Sequence, residues 1–227
     1  MLFRSLTLGQ NGKAFMERTR ILVGADGAIS KVRLQLTTRN PFPKKYFAIQ
    51  EWVDGYNNLP YFTSLFDPEI TDYYCWTIPK GEHLIIGAAL HPKQNIVEKF
   101  ELLKSKLRRC GFDFGKTVWR EGAFVLRPVK TRQLFTGEKG IALIGEAAGW
   151  ISPSSAEGLS YAFRSAVMLA EALRSTPDGF ERRYYEKTRA LRRSIFLKNL
   201  KSHFIFNPNL RSAVMRCGLQ SVKIYRP

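Results

Sequence analysis

A chain of 227 residues with 44% hydrophobic and 13% aromatic content can bury one sizeable core or two smaller ones, which excludes a disordered or fibrous protein. Lysine and arginine number 36 against 19 acids, a formal charge of +17 that favours anionic partners such as nucleotide phosphates, nucleic acid or an anionic lipid surface. The cysteines, Cys75, Cys110 and Cys217, stand far apart in neither CxxC nor His/Cys ligand spacing, so neither a zinc site nor a disulfide framework is expected.

The first residues, MLFRSLTLGQNGK, hold no apolar segment of signal-peptide length, and no apolar run of about 18 residues follows anywhere. The expected location is cytoplasmic, with any membrane contact peripheral. Asn11-Gly12 between short apolar runs predicts a hairpin, and Ile21-Leu22-Val23 reads as a buried strand ending in Gly24-Ala25-Asp26-Gly27. From Pro41 to Pro128 the texture is aromatic and β-branched, in KYFAIQEWV, YFTSLF, YYCWTIP, HLIIGAAL and WREGAFVL, which predicts an antiparallel sheet. One helix interrupts it over Ile96 to Cys110, with Ile96, Phe100, Leu103 and Leu107 on one face and Gly111 as its stop.

The chain then returns to a strand, Gly140 to Ile144, a small-residue turn and a helix expected from about Ala156 to Arg174. Gly145 and Gly149 let backbone approach a ligand closely, and the Glu146 carboxylate suits sugar-like hydroxyls. Pro153 fixes the entry to the helix. Its first turns, Ser154 to Gly158, would offer N–H groups and a positive dipole end to a ring that gains negative charge. The same strand, turn and helix also arise wherever an α/β corner is merely tight.

VGADGAISKVR, Val23 to Arg33, resembles the GADG-xx-S-xVR motif of FAD-dependent oxidoreductases of the p-hydroxybenzoate hydroxylase type. GIALIGEAAGWISPSSAEGLSYAF is similar to their later G-D-A-A-G-x-x-x-P-x-x-G-E-G-like motif, with Glu146 in place of the usual aspartate. YYCWTIPKGEHLIIGAAL, Tyr73 to Leu90, resembles the Y-x-W-x-F-P-K-G segment of the geranylgeranyl reductase branch. The resemblance implies an α+β fold with an α/β remnant, part of a three-layer FAD-binding domain formed by residues 1–40 and 131–180. A β-rich substrate domain (41–130) would be inserted in it, and a basic helical region (181–227) would follow. It further implies FAD beside Asp26 and Gly27, its ribitol held by Glu146 in the turn Gly145 to Gly149. The ring would be lined by Pro153, Ser155, Ala156, Glu157 and Gly158, and a hydrophobic substrate cavity by Tyr74, Trp76 and Pro79.

No GxGxxG occurs in the sequence, whereas the family begins with that phosphate-cradling unit. The expectation is a family member lacking its first hundred or so residues, completed by that segment or by a second chain, and binding FAD poorly without it. The implied activity is reduction of an isoprenoid or lipid-like double bond, with NAD(P)H or another reductant as electron donor. A flavin monooxygenase, or a remnant that binds a lipid or partner without catalysis, are the alternatives.

Aromatics such as Trp52, Tyr61 and Phe66 read either as cavity or as ordinary sheet core. His83, His91 and His203 read as surface residues and Cys75 as a small core residue. Residues 181–227 hold twelve Lys/Arg against Glu181 and Glu186 alone. Tyr184, Leu191, Ile195 and Leu200 at helical spacing fit a helix lying on an anionic membrane or a helix packed on the body. No nucleic-acid module is visible, and no nucleic-acid partner is expected.

Overall fold

The computed structural model describes residues 4–36, 41–56 and 61–217. In chain order the elements are β1 (Arg4–Gln10), β2 (Lys13–Thr19), β3 (Leu22–Gly24), α1 (Lys31–Gln35), β4 (Lys44–Val53), β5 (Thr63–Leu65), β6 (Cys75–Lys80) and β7 (His83–Leu90). Then come α2 (Ile96–Arg109), β8 (Thr117–Arg127), β9 (Gly137–Glu138), β10 (Ile141–Leu143), α3 (Leu159–Leu173), α4 (Phe180–Lys187), α5 (Arg189–Phe206) and α6 (Pro208–Arg216). Short 3-10 turns lie at Gly27–Ile29, Thr131–Gln133 and Gly145–Ala148. The chain forms two compact units, Met1–Lys44 with Leu126–Asn199, and Lys45–Val125 with Leu200–Pro227. The mixed α+β architecture, an antiparallel sheet with helices at the C-terminal end, is the one the sequence implied.

In the first unit β10 pairs in parallel with β3, Ile141 opposite Leu22 and Leu143 opposite Gly24, and β9 pairs antiparallel on its other side. Ile141, Ala142 and Leu143 are all buried, as a strand covered on both faces requires. Leu143 joins Ala147, Ala148, Trp150, Tyr161, Leu191 and Ile195 in one core cluster, and Ala142 joins Leu169, Ala172, Phe180 and Tyr184 in another. Asn11 and Gly12, both at positive φ, close the β1–β2 hairpin as its Asn-Gly signal demands.

The second unit is a sheet of order β5-β6-β7-β4-β8, with antiparallel pairing of β5 to β6, β6 to β7 and β7 to β4. Asn95 caps α2 by accepting from Glu98 N at 3.3 Å, and the basic Lys106, Arg108 and Arg109 complement its C-terminal end. Phe100, Leu103 and Leu107 of α2 pack on Ile49, Val53, Cys75, Leu84, Ile86 and Ala88. Glu51 stands on the same face at 0% exposure, held by Lys104 Nζ (3.0 Å), Thr117 Oγ1 (2.7 Å) and Arg120 Nε (2.7 Å). These partners outweigh the upward push of burial and keep its carboxyl below the ordinary range. Cys75 is wholly buried, and burial pushes its thiol up to about 12.

The basic region divides between the two units. Tyr184, Leu191 and Ile195 are each 0% exposed because their stripe packs into the first unit's core, whereas Leu200 is 56% exposed. The expected single stripe, Tyr184 to Leu200, is therefore mostly a core contact, and its last member belongs to a different face.

Candidate functional site

Two turns emerge from the carboxyl ends of the parallel strands β3 and β10, the position where open α/β sheets take their ligands. The turn Gly27–Ile29 packs against the turn Gly145–Ala148, and the latter packs against α3. Arg33, on α1 just after the first turn, ties that segment to the second. Its guanidinium, 1% exposed, donates to Ala147 O at 3.0 Å and to Gln133 O at 2.8 Å, and stacks over Phe42 at 4.6 Å. Burial alone lowers its pKa to about 10, so it stays charged at neutral pH.

Asp26 is exposed, but both of its carboxylate oxygens are engaged within its own loop. Oδ1 accepts from Ser30 Oγ at 2.5 Å and Oδ2 from Val32 N at 3.1 Å, while Ser30 Oγ accepts from Arg33 N at 2.9 Å. Burial raises its pKa, but these hydrogen bonds win and hold it below the ordinary value. The aspartate shapes the loop that exposes Gly27, whose missing Cβ would point into open space.

Glu146 is differently placed. Oε1 accepts from Leu126 N at 2.5 Å, and Oε2 has no partner among the described residues. Burial pushes its pKa up, and the Leu126 hydrogen bond offsets only part of this. The turn around it is fixed by Gly145 N donating to Ser165 Oγ at 2.9 Å and by Gly149, whose φ of 86° lets Trp150 N return to Gly145 O at 3.0 Å. The native carboxyl holds its proton at higher pH than the unfolded one, whose ordinary value is 4.5. Its contribution to stability therefore grows as pH falls toward that value and is lost as pH rises through the native one. Glu146→Gln should erase this segment of the stability–pH curve, and urea denaturation of both proteins at about pH 5 and about pH 7 measures it.

The segment expected as the first turns of a helix is instead a closed loop. Ser152 N donates to Glu157 O (2.9 Å), Ala156 N to Ser152 O (3.0 Å) and Ser155 Oγ to Ser152 Oγ (2.9 Å), and Ala156 sits at φ 51°. α3 begins only at Leu159, because the Glu157 carboxylate caps it by accepting from Ser160 N at 2.9 Å. Gly158 is the residue before the helix and Pro153 is buried. The N–H groups of Leu159 and Tyr161 lie in the first turn, where helix geometry supplies no acceptor.

In the sheet unit, residues paired across strands share a face. Trp76 pairs with Gly87, which pairs with Gln50; Ile78 pairs with Ile85, which pairs with Trp52. This face lies opposite α2. Trp76 lies flat over Gly87, where an added Cβ would meet the indole at 2.1 Å. Tyr74 stands 5.5 Å from Trp76, its phenol pushed up to about 12 by burial, so it is no base at neutral pH. Pro79 pairs with Leu84 on the α2 face and so does not share the face of Tyr74 and Trp76. Sequence alone assigns Arg33, Ser30 and Ser165 no role. The final Arg of the first motif was the available signal, since a cation ending a buried α/β corner needs acceptors.

The fold is that of flavin-dependent oxidoreductases. A geranylgeranyl bacteriochlorophyll reductase-like protein from Thermoplasma acidophilum superposes at TM-score 0.68 with 19% identity, covering 94% of this chain and 59% of its own. HpxO from Klebsiella pneumoniae, solved with FAD and uric acid, superposes at 0.60 with 16% identity over 93% of this chain and 58% of its own. In sequence, Protein CbrA of Escherichia coli O9:H4 (strain HS) is 41% identical over 203 residues, 89% of this chain. The chain spans 55% of the length of that relative. No protein-family model matches the chain. Among the described residues no helix is long and apolar enough to cross a membrane, and no group of three or more His, Cys, Asp or Glu is placed to hold a metal ion.

Proposed function

We propose that the chain is part of an FAD-dependent oxidoreductase that reduces double bonds of an isoprenoid or similarly apolar substrate, with NAD(P)H or another reductant as electron donor. The observation that carries this reading is the spare oxygen of the half-buried Glu146, set at the carboxyl end of β10 between the Gly27 turn and the start of α3. The residues fit a flavin in most respects. Glu146 Oε2 accepts from a ribitol hydroxyl, Gly145 and Gly149 keep the wall low, and the Leu159 and Tyr161 N–H groups with the α3 dipole favour the ring edge that gains negative charge. Asp26 serves by shaping the Gly27 loop, and Glu157 by capping α3, rather than by touching the cofactor. Bound FAD supplies the electron transfer itself.

Tyr74, Trp76, Ile78 and the buried Ile85 give the sheet face opposite α2 an apolar character suited to a prenyl chain. β3 is an edge strand among the described residues, with Val23 exposed, and α3 turns Leu159, Phe163 and Val167 outward at 71%, 66% and 57% exposure. In this reading a GxGxxG-bearing strand and helix pack there and cradle the pyrophosphate.

FAD titrated into the chain, alone and mixed with the part of Protein CbrA that the match leaves uncovered, tests the proposal by flavin absorbance. Binding is expected with both parts present, weakened about tenfold or more by Glu146→Ala, because the hydrogen bond that the carboxyl offers a ribitol hydroxyl is lost. Anaerobic reduction of a prenyl chain by the loaded complex would establish the reductase. Reductant-dependent oxygen uptake with hydroxylation would replace it by a monooxygenase. Protein that stays colourless in both mixtures overturns the flavin reading and leaves a non-enzymatic lipid- or partner-binding module.

A further inference from the structure

Helix α5 carries two apolar stripes. Leu191 and Ile195 form the buried one. The other consists of Phe196, Leu197, Leu200 and Phe204, exposed at 58%, 63%, 56% and 44%, and its helical spacing gathers it into an arc of roughly 100°. Arg189 and Arg193 stand exposed toward its N-terminal end, and Lys201 flanks it. From Lys187 to Cys217 the sequence holds no aspartate or glutamate. Monomeric proteins rarely leave such a row of large apolar side chains in water.

We propose that α5 lies along the surface of an anionic lipid bilayer. The stripe enters the boundary between headgroups and acyl chains, and Arg189, Arg193 and Lys201 meet lipid phosphates. Charge selects this occupant. A second copy of the chain would bring a helix of the same sign against this one, and a nucleic acid would satisfy the cations while leaving the stripe wet. No described helix is long and apolar enough to cross, so the contact is along the surface. The inference stands on α5 alone and holds whether or not the chain carries flavin.

Co-sedimentation of the full chain with phosphatidylcholine vesicles, with and without phosphatidylglycerol, tests it. Binding is expected only to the anionic vesicles and should weaken with salt. The pair Leu200→Ser and Phe204→Ser, and separately the trio Arg189→Gln, Arg193→Gln and Lys201→Gln, should each weaken it about tenfold or more. The unsubstituted chain should also gain hydrogen-exchange protection in α5 when anionic vesicles are added, a readout that does not depend on any variant folding. Equal binding by the serine variant, or α5 protection unchanged by vesicles, overturns the proposal. So does self-association that buries the stripe without lipid, or capture by nucleic acid in place of vesicles.

Discussion

Arg33→Met should cost the first unit about 3–4 kcal/mol, because two buried carbonyl oxygens, of Ala147 and Gln133, lose their donor and each such loss costs about 1–3 kcal/mol. Arg33→Lys should be nearly as damaging. One ammonium on a flexible stem cannot reproduce a planar fork that reaches two carbonyls, one on each side, while lying over Phe42. Thermal and urea denaturation of both variants check this, with hydrogen exchange in β10 and α3 reporting the unit directly. A lysine variant as stable as the parent would show that the charge, and not the fork, holds the two turns together. The prediction reaches function because the turn Gly145–Ala148 is fixed through Ala147. An arginine variant that folds at low temperature should bind FAD more weakly than the parent even with Glu146 intact.

The second large effect concerns Glu51. Its replacement by leucine takes from Lys104, only 11% exposed at its side chain, its buried partner and leaves it Glu101 Oε1 at 2.6 Å alone, so the loss should fall toward the lower end of the about 3–5 kcal/mol that breaking a buried pair costs. Replacing both, as Glu51→Leu with Lys104→Met, should recover most of the loss, because an apolar pair of similar volume avoids the cost of desolvating two charges. Denaturant midpoints of the parent, the single and the double variant test this; a double variant no better than the single one would put the cost in packing rather than in the broken buried pair. The native carboxyl titrates below its ordinary 4.5, so its contribution is present above that value and is lost as pH falls through the native one. Glu51→Leu should therefore reduce the acid sensitivity of the sheet unit as well as its stability at neutral pH.

Local chemistry made much of this fold readable. Asn11-Gly12 announces a hairpin because few other dipeptides sit at two positive φ angles, and Asn95 with Gly111 brackets α2 by cap and stop. α3 starts three residues later than its sequence predicts, since no propensity foretells that Ala156 adopts a left-handed conformation and that Glu157 caps the helix rather than lying in it. In the tail, helical periodicity reveals an apolar row but not which of two rows the body covers; Leu191 and Ile195 went inward and Phe196 and Leu200 outward. Arg33 and Glu51 were invisible as structural residues because a charge in sequence reads as surface, and only tertiary partners make it otherwise. The motif of Tyr74 to Pro79 was legible as a strand, yet alternation along it splits the expected trio between two faces.

Cys75 gives the sheet unit an internal clock. The thiol lies in the second strand of five, paired with Leu65 on one side and Ala88 on the other, and its proton is held so firmly that the native state offers no thiolate to an alkylating or oxidising reagent. Cys110 and Cys217 are exposed and react without any opening. The rate at which the third thiol appears is then set by the lifting of α2 from the sheet face that carries Cys75, so the same burial that keeps the sheet chemically silent makes its rare openings countable one molecule at a time.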